Sequence, residues 1–226
     1  LFYAYLATLV WLPLPLASRP YWAVAFFNML VAAMSLAALA GIWKTGHVLP
    51  PAFRVARWPI ALWVVYCLWL VVQNIEGFSI NTFRSYQQIL LTLSYLQLFL
   101  LTLFLVDSRE RLKILFYTLV VSGVFQAVYG GLMTLSGVEK VWWIEKAQHR
   151  GLATGTFLNR NQLANYLVMC LSAGCGLLVA VQKNDRINTW RQLLRRFVEW
   201  LLSGSGWLRL LMAVIVTGIV LTHSRM

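Results

Sequence analysis

The stretch ILFYTLVVSGVFQAVYGGLMTLS, residues 114–136, contains no Asp, Glu, Lys, Arg or Pro. At a rise of about 1.5 Å per residue, a helix of this length crosses about 30 Å of hydrocarbon. Apolar residues fall on every side of it, so no polar stripe is left to face water. Strict apolar–polar alternation, the mark of a barrel strand, is absent too. Within hydrocarbon every backbone N–H and C=O must find a partner inside the segment, and a helix meets that demand locally.

Working outward, six more runs of this kind flank the first. The seven lie near residues 1–17, 21–43, 59–75, 88–106, 114–136, 162–182 and 204–222. The expected fold class is therefore all-α, a polytopic transmembrane helix bundle with about seven spans forming a single domain over 1–226. Composition agrees. The chain is 60% hydrophobic and 12% charged with a mean hydropathy of +0.70, whereas an ordinary soluble domain is about a quarter charged. A formal charge of +12 would suggest nucleic acid in a soluble domain, but here the Lys and Arg sit in short connections between apolar runs. The charge is therefore read as topology, and no nucleic-acid partner is expected.

The connections 44–58, 107–113 and 183–203, with Arg209, carry 12 of the 19 Lys and Arg, and the connections 18–20, 76–87, 137–161 and 223–226 carry seven. The positive-inside rule assigns the first set to the cytoplasm, which makes 137–161 the longest outer loop. Trp142, Trp143, Tyr21 and Trp22 then fall where an aromatic belt meets the outer headgroups. Residues 183–203 form a basic amphipathic segment, with Trp190, Leu193, Leu194, Phe197 and Leu201 on one face beside Arg191 and Arg195. It is expected to lie on the inner leaflet and bind anionic lipid. Pro13 and Pro15 are placed to bend the first helix. Because the chain begins at Leu1 inside an apolar run and stops at Met226 just after another, it is expected to be the N-terminal fragment of a longer protein.

Residues suited to chemistry are few. Cys67, Cys170 and Cys175 lie inside apolar runs with no paired spacing and read as packing residues. His47, His149 and His223 lie in connections or at a helix edge, so no histidine pair faces across mid-membrane as haem would require. Neither a metal nor a cofactor is expected. Asn28, Gln97 and Gln126 are neutral polar groups at depth and read as interhelical hydrogen bonds.

The informative region is QHRGLATGTFLNRNQLANYL, residues 148–167. Gly151 and Gly155 permit tight turns, and Thr156, Asn159 and Asn161 can cap the next helix. A helix N-terminus with Arg150 and Arg160 nearby attracts anions. A loop that merely caps a helix would carry the same residues.

At these positions the sequence resembles the O-antigen ligase and polymerase family of bacterial envelope glycan assembly. The family pattern, an Arg followed by Gly-Thr-Phe-x-Asn-x-Asn-x-x-Ala-x-Tyr-Leu entering a transmembrane helix, is matched by Arg150 and then Gly155, Thr156, Phe157, Asn159, Asn161, Ala164, Tyr166 and Leu167. A second family feature, a helix ending outside in a Leu-Thr-x-Ser-Arg-like sequence, is matched by Leu221, Thr222, His223, Ser224 and Arg225.

The resemblance implies a metal-independent glycosyltransferase of the bacterial inner (cytoplasmic) membrane, with its site facing the periplasm. Its donor would be an undecaprenyl-diphosphate-linked glycan, its acceptor a glycan, lipid or protein, and its surroundings membrane lipid. Ligases and polymerases of the family share these motifs. The resemblance covers the N-terminal half of such a protein and puts the histidine general base beyond Met226, so no catalytic residue is assigned here. Arg150 and Arg225, then Arg160, with Asn159 and Asn161 as neutral donors, are the expected diphosphate-binding residues, because a leaving diphosphate gains charge and arginine answers it with a forked, permanently charged donor. Two other classes compete. A transporter or flippase of lipid-linked sugars would show internal repeats or broken helices; a non-enzymatic scaffold would leave the Arg and Asn pattern without a use.

Overall fold

The computed structural model describes residues 1–46, 50–75, 81–146, 148–181 and 206–224. In chain order the helices are α1 (Phe2–Trp11), α2 (Tyr21–Thr45), α3 (Ala52–Val55), α4 (Arg57–Ile75), α5 (Thr82–Leu105), α6 (Arg109–Leu135), α7 (Arg160–Val181) and α8 (Gly206–Leu221), and a small hairpin, β1 (Lys140–Val141) and β2 (Ile144–Glu145), stands between α6 and α7. Five of them, α2, α4, α5, α6 and α7, are long and apolar enough to cross a membrane. By length and composition the chain is thus a multi-pass α-helical membrane protein. The remaining two apolar helices, α1 and α8, are shorter, at 10 and 16 residues. The basic segment 183–203 lies outside the described residues.

Local signals explain several boundaries. Asn81 opens α5 by accepting the Arg84 N–H at 3.1 Å, and Ser108 does the same for Arg111 at the start of α6, at 3.2 Å. Gly46 closes α2 with φ +62°, its N–H on the Ile42 carbonyl. The expectation for the first run changes more. Instead of one bent helix over 1–17, α1 stops at Trp11 and the chain turns. Pro13 has no N–H to continue the ladder and disfavours helical geometry in the residue before it. Leu16, Ala17 and Ser18 then take positive φ of 53°, 56° and 54°, a left-handed turn that costs about 1–2 kcal/mol per residue and has to be held by its surroundings.

The chain packs as two compact units, one of residues 1–12 and 18–112, the other of residues 13–17 and 113–226. In the first unit α2 packs on α1 and α5, and α5 packs on α4. Ala23, Phe27, Val31, Met34, Ala38, Leu96 and Leu101 are buried among them, and Tyr5 and Thr102 share a hydrogen bond of 2.8 Å between their hydroxyls. Leu62, Val65, Leu68 and Trp69 of α4 are more than half exposed, as expected of a surface that meets lipid rather than water.

In the second unit α7 packs along α8. Val120, Ala127, Phe157, Leu163, Leu167, Cys170 and Ile215 form its buried core. Gly218 allows the close approach of helices: a Cβ there would stand 2.5 Å from the Ala127 Cβ. Such small-residue contacts are how helices associate in lipid, where apolar side chains gain little by leaving the solvent.

Candidate functional site

The loop 137–161 folds onto one end of the second unit in three fastened steps. First comes the hairpin, with Lys140 opposite Glu145 and Val141 opposite Ile144. Its turn is pinned through Trp142, whose backbone N–H donates to the Tyr129 hydroxyl at 3.0 Å and whose Nε1 donates to the Leu14 carbonyl at 2.9 Å. Beside the aromatic-belt position expected for both tryptophans, the structure gives Trp142 this anchoring role, while Trp143 is 83% exposed.

The second fastening is a buried latch. Lys146 is only 5% exposed; its Nζ donates to the Leu152 carbonyl at 2.9 Å and lies 3.7 Å from Glu139 Oε2. Glu139 Oε1 accepts the Gly151 N–H at 2.7 Å. Burial pulls the Lys146 pKa below its ordinary value, and the Glu139 carboxylate partly pulls it back. The latch closes a turn in which His149 and Gly151 have φ of 58° and 72°. Arg150 stands exposed on this turn, with Nε donating to the Lys146 carbonyl at 3.1 Å.

The third fastening buries the Gly-Thr-Phe stretch. Thr156 is wholly buried, Gln126 Oε1 on α6 accepts its N–H at 3.0 Å, and the same oxygen lies 3.0 Å from the Thr156 hydroxyl, whose single proton serves one acceptor at a time. The Thr156 hydroxyl also reaches the Pro13 carbonyl. Gly155 has φ +56°, and a Cβ there would come within 2.7 Å of Gln126 Oε1, so only glycine fits. Phe157 packs its ring 5.4 Å from Tyr166, whose hydroxyl is 2.7 Å from Ser122 Oγ. Gln126 thus makes a polar contact at depth, as expected, but to the loop and not to another helix. Thr156, expected as a cap, is used in the same contact.

Asn159 does cap α7, its Oδ1 accepting the Asn161 N–H at 2.8 Å. Arg160 opens the helix half-buried, with its Nε buried and without a hydrogen-bond partner. Asn161 reaches the end of α8 instead: Ser224 Oγ donates to its Oδ1 at 3.0 Å. One step away the Ala153 N–H donates to the Leu221 carbonyl at 3.2 Å. The two sequence motifs, read separately along the chain, are therefore joined within one unit. Arg225 follows Ser224 in sequence and lies outside the described residues.

Chemically, this arrangement presents cationic and amide donors on a rigidly held loop. Among the described residues the Arg150 guanidinium bonds the protein through Nε, and Asn159 and Asn161 are held through their oxygens, which leaves their NH2 groups as candidate donors. The sequence carries no signal for Lys146 and Glu139, because nothing in a spacing of seven residues across a hairpin marks a lysine as buried against a carboxylate. Comparison of the chain with family models, curated proteins and solved structures gave no match.

Proposed function

We propose that this chain is the membrane part of a glycosyltransferase of the O-antigen ligase and polymerase type, binding the diphosphate of an undecaprenyl-linked glycan at the 148–161 loop and the end of α8. In this reading α1 and α8 complete seven crossings of a bacterial inner membrane, and the loop faces the periplasm. The observation that carries the proposal is the pair of hydrogen bonds, Asn161 to Ser224 and Ala153 to Leu221, that joins the two motifs. A family resemblance built on two distant motifs requires them to meet, and an accidental match has no such requirement.

The roles follow from charge. As the sugar leaves its carrier, negative charge grows on the diphosphate. Arg150 meets that charge with the terminal nitrogens of its fork, and the Asn159 and Asn161 amides add neutral donors. Arg160 and Arg225 complete the cationic set. In the family that this chain resembles, a histidine base takes the acceptor's proton.

The test uses the full-length protein and its lipid-linked donor. Arg150→Ala is expected to lower transfer by about 10- to 100-fold, since a hydrogen bond to a charged partner is worth about 1.5–3 kcal/mol. Arg150→Lys keeps the charge without the fork and should rescue only in part. Wild-type turnover in both Arg150→Ala and Arg225→Ala would defeat the assignment.

A further inference from the structure

The first unit holds a cleft of about 230 Å³ that the donor site does not use. It runs along α2 from Ser35 past Ala38 to Ile42 and along α5 from Gln97 to Phe104, and Phe53 of α3 lines it as well. Each helix contributes eight residues, seven steps of about 1.5 Å or about 10 Å in all. The lining is almost wholly apolar, and Leu39 on its lip is 62% exposed, so the cleft opens toward the lipid phase. Ser35 Oγ, buried in the wall, has no hydrogen-bond partner.

Charge marks one end. Lys44 follows Ile42 by two residues, Arg54 follows Phe53 directly, and Arg57 begins the next helix; all three are exposed. Arg109 is exposed three residues after Val106, where α5 has ended. The acid closest in sequence to Phe104, Asp107, is neutralised by Arg111 at 3.2 Å. An apolar cleft with a cationic rim at one end matches an acyl chain bearing an anionic head.

We propose that this cleft is a binding site for an anionic diacyl phospholipid, one acyl chain lying between α2 and α5 and the phosphate held by Lys44 and Arg54. The inference uses only residues of the first unit and does not depend on the glycosyltransferase reading. Selectivity has to come from the head, because the chain gains little by exchanging lipid neighbours for apolar side chains. The cleft's contribution is shape: it fixes the chain so that the phosphate stays at the two cations. A short site open to the bilayer is filled by mass action with the commonest anionic lipid present.

The experiment reconstitutes the chain in phosphatidylcholine vesicles containing a minority of phosphatidylglycerol. The fraction of spin-labelled phosphatidylglycerol that is immobilised is compared with that of spin-labelled phosphatidylcholine. The wild type should prefer phosphatidylglycerol, and Lys44→Gln and Arg54→Gln should each lower the preference about fivefold, the equivalent of about 1 kcal/mol per charge. Ala38→Phe, which fills the cleft and leaves the charges, should lower the preference at least as far as either charge variant, leaving only what the 183–203 segment contributes. If that variant does not fold, Leu39→Phe at the exposed lip narrows the cleft without entering the core and should weaken the preference. Equal immobilisation of both lipids, or a preference left unchanged by filling the cleft, would overturn the site. So would displacement of the labelled lipid by polyprenyl phosphate at a lower mole fraction than by phosphatidylglycerol.

Discussion

Ser224 Oγ donates a 3.0 Å hydrogen bond to Asn161 Oδ1 across a sequence separation of 63 residues. It ties the start of α7 to the end of α8, next to the backbone bond from Ala153 to Leu221. The expected coupling is measurable. Ser224→Ala, Asn161→Ala and the double variant, compared by unfolding in detergent, should show an interaction energy of about 0.5–1.5 kcal/mol. Strict additivity would mean that the bond does not hold the two ends together.

The buried contact between Gln126 and Thr156 should matter far more to stability than its single side chain suggests. Gln126→Leu strands the buried Thr156 N–H and is expected to cost about 1–3 kcal/mol. Gly155→Ala, with φ +56° and a Cβ only 2.7 Å from Gln126 Oε1, should cost about as much through strain and overpacking. Thr118→Ala serves as a control: its exposed hydroxyl bonds only the Ile114 carbonyl of its own helix, and the change should stay within about 0.5 kcal/mol. Unfolding midpoints that fail to separate the first two variants from the third would contradict the burial described.

Lys146 makes stability depend on pH with a definite sign. Its pKa in the folded protein is lowered, chiefly by burial, so in the window between that value and the ordinary lysine value the unfolded chain binds more protons than the folded one. Stability contributed by this group therefore rises as pH rises through the window, and below the window the cost of burying the charge is present in full. Lys146→Gln removes this slope. The quantity to measure is the difference between wild type and variant along an alkaline series of unfolding curves; a difference that is flat, or that falls with pH, would refute the sign.

Topology is open to labelling. With Cys67, Cys170 and Cys175 replaced, single cysteines at Gln148 and Glu110 should react with an impermeant reagent from opposite sides of the membrane, since the 12-to-seven split of basic residues assigns these connections to different faces. Reaction of both from one side would reverse or dismantle the assignment.

The sequence by itself determined the class of protein and, to within several residues, where its five long apolar helices lie. Uninterrupted apolar runs admit only helices in lipid, a constraint that acts within each segment and needs no knowledge of neighbours. For the same reason the end of α1 came out differently from expectation: how a chain leaves Pro13 and Pro15 depends on what receives it, here Thr156 and Trp142, which reach the Pro13 and Leu14 carbonyls just ahead of the left-handed turn. The motif residues of the loop were legible as types, but their uses were not. Gln126 was visible as a polar group at depth, yet only the fold pairs it with Thr156; Asn161 was visible as a cap, yet the fold spends it on Ser224. The Lys146–Glu139 latch had no sequence signal at all, because the burial of Lys146 beside a half-buried carboxylate comes from neighbours brought together in three dimensions. Local rules fix what each segment must be; which donor meets which acceptor is decided by packing, and packing decided it here.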